Sequence, residues 1–285
     1  MENHFFNLFK FVDYVNSYKD LKFRKKENAW KHFNKFGWKE KRYAAFENID
    51  IFEQFTNWKM ELSENNNKMI IGIISCHKNK KKQEFIRKRW LEKLKYYPQF
   101  DFFFVVGGSR ELMVKEDTIY INCPDSYDYL SLKIGLFIKY IYSYTDYNYI
   151  LKIDDDCYLN VDKLAKIDYC RHQFLGSFIS RNDYNSNWKK EQNLSDKIID
   201  SEIEFDYFGG GFSYVLSRKS MSVIVENLKE LSQYYLEDVA VSKILYYYGD
   251  IKVQKVKEYR CIEYPLLKKK GNYLHKFLVI TDFPN

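Results

Sequence analysis

From Met69 onward the chain alternates unbroken apolar runs with amphipathic ones. MIIGIIS, starting at Met69, and FDFFFVVG, starting at Phe100, are continuous apolar runs of strand length, the pattern of strands covered on both faces. TIYIN from Thr118 is a short third strand, and NYILKI from Asn148 a further buried one. Between them lie QEFIRKRWLEKLKYY and YLSLKIGLFIKYIYSY, the second with Leu130, Ile134, Phe137, Ile138 and Ile141 on one helical face. Strand and helix in alternation predict an α/β fold whose sheet is mixed, mostly parallel and flanked by helices.

The first fifty residues have a different period. Phe11, Tyr14, Val15 and Tyr18, then Ala29, Trp30, Phe33 and Phe36, predict two short amphipathic helices, the second stopped by Gly37. A polar, helix-like stretch follows and ends in SENNNK, a loop signal. The expected division is a small helical module over residues 1–48, a connector over 49–68 and an α/β domain over 69–285.

Composition adds a large core: 46% of the 285 residues are hydrophobic and 19% aromatic. The formal charge of +7 arises from 46 basic residues among 39 acidic ones, a balance that suits an anionic small substrate and gives no cause to expect nucleic acid. The basic runs at Lys78 and Lys268 read as solvated faces or as phosphate contacts. No run reaches the roughly 18 apolar residues that span a bilayer, and the N-terminus has no apolar signal core, so a cytoplasmic location is expected. The five cysteines lack paired spacing and read as buried free thiols.

The candidate chemistry starts at Asp154, Asp155 and Asp156, directly after the NYILKI strand. Open α/β sheets keep their ligands at such strand ends. Adjacent carboxylates repel unless donors or a cation offset them, and Mn²⁺ or Mg²⁺ is the natural cation, taking one or two protein carboxylates and completing its shell from water and a substrate phosphate. An isolated acidic triplet is more often a solvated turn, and it is the strand before it and the blocks around it that favour the metal. Glu237 and Asp238 open a second helical pattern, where acidic residues also favour the N-terminal dipole and whose other face, Val241, Ile244, Leu245 and Tyr248, is expected to be buried. Gly209, Gly210 and Gly211 permit close backbone approach to a ligand, or a plain turn. Arg87 reads either as a diphosphate contact or as a surface ion pair.

Several blocks together resemble one family, the inverting β-1,3-glycosyltransferases of the galactosyltransferase, N-acetylglucosaminyltransferase and Fringe group. FIRKRW from Phe85, FVVG from Phe104, DSYDYLSLK from Asp125, ILKIDDDCYLN from Ile150, GFSYVLS from Gly211 and EDVAVSKIL from Glu237 stand in the family's order. Arg89 replaces the usual threonine of the first block, and Ser242 the glycine after EDV. The N-terminal DYVNSYKDLK...AWKHFNKFGWKEKR resembles a short helical module attached to bacterial and giant-virus proteins.

The resemblance implies a GT-A fold, a UDP-sugar donor, Mn²⁺ or Mg²⁺, and a glycan or glycoprotein acceptor. It implies Asp156 as the metal ligand, with His275 as a second one near the C-terminus. Asp154 and Asp155 would orient the donor and the metal's water shell, helped by Ser75, His77, Arg87, Gly210 and Gly211. Asp238 would be the general base and Glu237 its neighbour in orienting the acceptor. The family's Golgi members carry a membrane anchor and luminal disulfides, absent from this sequence, so the expectation is an enzyme of the cytoplasm or of a giant virus's factory or virion. The rival readings are a catalytically inactive glycan- or protein-binding module and a metal-dependent phosphotransferase or nuclease.

Overall fold

The computed structural model describes residues 9–18, 20–33, 68–180, 207–263 and 277–281. Two helices near the start, α1 (Phe11–Asn16) and α2 (Lys26–His32), stand where the pair was expected, while Phe36 and the expected stop at Gly37 lie outside the described residues. Phe9, Tyr14, Leu21, Ala29, Trp30 and Phe33 bury one another in a cluster of their own. The expected connector over 49–68 lies outside the described residues apart from Lys68.

The α/β part runs in order through β1 (Met69–Ile74), α3 (Lys80–Arg89), β2 (Phe100–Val106), β3 (Met113–Lys115) and β4 (Thr118–Tyr120). It continues through α4 (Leu130–Tyr144), β5 (Tyr149–Asp154), β6 (Tyr158–Leu159), α5 (Val161–Leu164) and β7 (Phe174–Ser180). Then come β8 (Tyr207–Ser217), α6 (Arg218–Glu226), α7 (Leu228–Leu231), α8 (Glu237–Gly249), β9 (Cys261–Glu263) and β10 (Val279–Thr281). The main sheet has seven strands in the order β3-β4-β2-β1-β5-β8-β7, and β6, β10 and β9 form a small second sheet.

The expected α/β architecture is present, with one adjustment. β4, β2, β1 and β5 are mutually parallel, but β8 and β7 run antiparallel to the strands beside them, as does β3 at the other edge. The apolar strands β1 and β5 sit centrally, and the sheet carries one core on each face. Ile70, Phe137, Ile138 and Ile244 belong to one face, and Ile71, Trp90, Leu151 and Val279 to the other. This two-sided covering is why β1 reads as an apolar run rather than an alternating one.

Three local differences have simple causes. The expected helix from Gln83 starts earlier, at Lys80, and tightens into a 3₁₀ segment over Leu91–Tyr96 once the buried Trp90 has passed. Tyr248, expected on the buried face of α8, is 54% exposed, because that face is completed by Ala240, Val241, Ile244 and Leu245; its hydroxyl donates to Glu230 instead. The five thiols are unpaired, yet only Cys123 and Cys157 are fully buried and Cys170 is exposed.

α4 crosses close to the sheet because Gly72 of β1 has no side chain: a methyl group there would overlap the ring of Phe137. Both residues are wholly enclosed, so the ring has no free space to enter. Gly72→Ala is expected to lower unfolding free energy by about 1–3 kcal/mol, read as a lower denaturant midpoint with an unchanged slope. An unchanged midpoint would mean that the helix can retreat from the sheet.

Candidate active site

β1 and β5 lie side by side, with Ile74 paired to Asp154, so both strands end at the same level of the sheet. The carboxylate triplet emerges there, and each member has a different environment. Asp155 is buried and saturated: its Oδ2 accepts from Ser75 Oγ at 2.7 Å and from Asn79 Nδ2 at 2.7 Å, and its Oδ1 lies 3.3 Å from Lys82 Nζ. Gln83 donates to Ser75 Oγ in turn, at 2.9 Å. Asp154 is held 2.8 Å from Lys152 Nζ. Asp156 is the most exposed of the three, with its nearest cation, Lys82 Nζ, at 3.9 Å and the Cys157 thiol at 3.5 Å.

Lys152 is an ammonium in the middle of the sheet, 1% exposed. Besides Asp154 it faces Glu237 Oε2 at 3.3 Å and donates to the carbonyl oxygen of Gly211. Burial disfavours its charge, but Asp154 and Glu237 more than offset that, and its pKa goes up. Glu237, at the first turn of α8, also accepts from the hydroxyl of the fully buried Tyr214 on β8. Burial raises the Glu237 and Asp238 carboxyls above the usual carboxylate range, while Lys152 pulls both back down.

Asp238 comes next on α8 and its Oδ1 accepts from the Val239 amide at 2.9 Å. Its Oδ2 would stand 3.3 Å from a Cβ at position 211, so Gly211 leaves the carboxylate's flank open. A bulge in β8 produces this approach. Gly176 of β7 pairs with Tyr214 and Phe178 with Gly209, so the β8 residues 210–213 stand against a single β7 residue. Such bulges re-aim side chains beside active sites. Tyr127 and Tyr235 face one another nearby, with ring centroids 5.3 Å apart, and Tyr127 is half exposed while its hydroxyl feels the charges of Asp238 and Glu237.

On the other side of the strand ends, Asp125 ties three elements together. Its Oδ1 accepts from Lys133 Nζ of α4 at 2.7 Å and from the Gly107 amide at 3.0 Å, and its Oδ2 from the His77 amide at 2.8 Å. Lys133 also reaches the Ser75 carbonyl, at 3.0 Å. The exposed His77 ring stacks at 5.8 Å on Tyr120 and lies against Gly108, whose φ of 82° suits a residue without a side chain.

Of the expected site residues, Asp154, Asp155, Asp156, Ser75, Gly211, Glu237 and Asp238 are joined in this one network of contacts, with Gly210 inside the β8 bulge and His77 linked through Asp125. Arg87 is elsewhere. Its guanidinium makes a two-pronged pair with Asp117, at 2.7 and 2.9 Å, and stacks on Phe104, so the ion-pair alternative describes it. His275 lies outside the described residues. Ser75 acts through Asp155. Lys152, Asn79, Lys82, Lys133, Asp125 and Tyr214 are additions, of which Lys152 left a signal as a lone charge inside an apolar strand run.

The donor set suits Mn²⁺ or Mg²⁺ bound largely by substrate. Asp155 is consumed by three donors and Asp154 is bound at Oδ1 by Lys152, whereas Asp156 has only Lys82 at 3.9 Å and the Cys157 thiol beside it and is the least engaged of the three. Among the described residues no group of three acidic, His or Cys side chains forms a cage. A hard cation bound by one carboxylate, water and phosphate oxygens fits that arrangement.

Hydrogen bonds from Lys133 and two amides hold the Asp125 carboxyl below its ordinary range despite burial. Its stabilising contribution is therefore complete above about pH 4, the unfolded value, and is lost as pH falls through the lower folded value. Asp125→Asn is expected to cost about 3 kcal/mol at neutral pH. The gap between variant and parent should close in acid; a gap independent of pH would rule out the ion pair as its source.

The scan against protein families matches the galactosyltransferase model over residues 81–257. The chain is 23% identical over 127 residues to UDP-GalNAc:beta-1,3-N-acetylgalactosaminyltransferase 2 of Xenopus laevis, a match covering 44% of this chain and 26% of the relative. For the protein of that name from Homo sapiens the figures are 22% over 133 residues, 46% and 26%. The chain thus aligns with about a quarter of the length of these relatives. Among solved structures it is similar to the galactosyltransferase LgtC with donor and acceptor sugar analogues, at 13% identity and TM-score 0.43 over 76% of this chain and 87% of that one. A glycosyltransferase involved in glycosylation of the major capsid of PBCV-1 gives 9% and 0.45 over 76% and 95%. No helix among the described residues is long and apolar enough to cross a membrane. With the family model running through more than half of its length, the chain belongs to the galactosyltransferase family.

Proposed function

We propose that the enzyme transfers a hexose or N-acetylhexosamine from a UDP-sugar to a hydroxyl of a glycan or glycoprotein, with inversion and a β-1,3 linkage. The observation that carries this reading is the convergence of two kinds of carboxylate on one buried ammonium. Asp156, the least engaged of the three, follows the triplet's Lys152-bound Asp154, and Asp238 follows the Lys152-bound Glu237. Donor and acceptor chemistry need two such sites, and the ammonium holds their neighbours Asp154 and Glu237 at 2.8 and 3.3 Å from one nitrogen.

Asp156 would hold Mn²⁺ or Mg²⁺ against the donor diphosphate, with His275 as a candidate second ligand. When bound, the cation would supply Lewis-acid stabilisation of the charge that grows on the departing UDP. Asp155 stays fixed by Ser75, Asn79 and Lys82 and keeps the triplet's backbone in place. His77, Tyr120 and Gly108 give the donor nucleoside a flat, shallow wall. Asp238 takes the proton of the acceptor hydroxyl as that oxygen attacks the anomeric carbon from the face opposite UDP. Burial raises its pKa, the direction that strengthens a carboxylate as a base. The relatives' names make UDP-N-acetylgalactosamine the first donor to test.

A binding module that had lost its chemistry would have no use for a carboxylate kept clear by Gly211, which weighs against that alternative.

Asp156→Ala is expected to abolish the Mn²⁺ dependence of UDP binding in titration calorimetry while leaving the fold intact. Undiminished dependence would move the metal to other ligands. Asp238→Asn should keep UDP affinity and melting temperature while transfer falls about 10² to 10⁴-fold. Near-parental turnover in that variant would remove Asp238 from the mechanism.

A further inference from the structure

Lys152 has a burial that its position alone does not require. Its neighbours along β5, Leu151 and Ile153, are apolar, and an aliphatic side chain would fill the same volume without the penalty of desolvating a charge. The three ammonium protons meet three acceptors from three separate elements. Asp154 closes β5, Glu237 opens α8, and the Gly211 carbonyl lies in the β8 bulge. A lysine has three donors, so this set is complete.

Each acceptor adjoins a residue with a proposed chemical task. Asp154 precedes the triplet's other members, Glu237 precedes Asp238, and Gly211 is the residue against which Asp238 lies. The Tyr214 hydroxyl fixes the second oxygen of Glu237, so that side chain cannot swing to another partner without breaking two contacts. We infer that Lys152 is a positioning residue that sets the distance between the donor-binding carboxylates and the acceptor-activating Asp238, and so acts on the transfer step rather than on donor affinity. This rests on the roles proposed above for Asp156 and Asp238. Lys152 touches neither sugar; it holds the two halves of the site in register.

Lys152→Met leaves Glu237 buried without a counter-charge, a loss that threatens the fold itself, so the decisive variant is Lys152→Met with Glu237→Gln. That pair is neutral, nearly isosteric and keeps the Tyr214 hydroxyl bond, while Asp154, 34% exposed, can turn to water. Melting temperature, UDP affinity in Mn²⁺, and kcat and KM for transfer are measured on this variant, on Glu237→Gln alone and on Asp238→Asn. The expected result is a folded double variant whose UDP affinity and donor KM stay within about threefold of the parent while kcat falls about 10²-fold, the scale of an ångström's misplacement. Glu237→Gln alone, which keeps the Lys152 contacts to Asp154 and Gly211, should lose much less. Transfer by the folded double variant within threefold of the parent would overturn the inference, as would intact kcat with collapsed UDP affinity. Parental turnover in Asp238→Asn would instead sink the base assignment, a separate failure visible in the same series.

Discussion

The structure depends on keeping one lysine charged inside a sheet. An isolated ammonium in that environment would shed its proton or unfold its surroundings, and Lys152 does neither because two carboxylates and a carbonyl surround it. Those acceptors come from β5, α8 and β8, so the order of the strands follows from the requirement as much as from apolar burial. β8 must lie beside β5, and α8 must begin directly over both. The bulge in β8 then turns the Gly211 carbonyl inward and opens the flank of Asp238. Satisfaction of the buried charge and the placement of Asp238 have a common cause here.

A second ion pair plays the same part at the neighbouring strand ends. Lys133 and Asp125 tie α4 to the ends of β1 and β2, and through Ser75 they connect to Asp155. The triplet is thus braced from both sides, and its one loosely engaged member is Asp156. Asp155 is fixed fully by the protein, Asp154 is bound at one oxygen and Asp156 is the most exposed, an asymmetry that suits the cation uptake proposed for Asp156.

Much of this was legible in the sequence because long apolar runs and a helical stripe leave little freedom. β1, β2, β5 and α4 fall where MIIGIIS, FDFFFVVG, NYILKI and the Leu130 to Ile141 stripe put them. β7 and β3 went unseen: β7 is interrupted by Gly176 and Ser177, and β3 is three residues long with two exposed. The triplet, Glu237 and Asp238 were legible as types in order. Their partners were not, because Ser75, Asn79 and Lys82 lie more than seventy residues from Asp155, and pairing across such distances is set by sheet order. Arg87 shows the reverse limit, since only the fold reveals that Asp117 takes its guanidinium.

The central claim is that two carboxylate sites braced on Lys152 perform an inverting sugar transfer. Its most direct test is incubation of the protein with UDP-N-acetylgalactosamine, UDP-galactose, UDP-N-acetylglucosamine and UDP-glucose, each with and without Mn²⁺, across a panel of glycan acceptors. UDP release and the anomeric configuration of the product, read by proton NMR, are the observables. Mn²⁺-dependent release with at least one donor and a β-linked product are expected. A product of retained α configuration, or transfer indifferent to divalent cations, would contradict the claim.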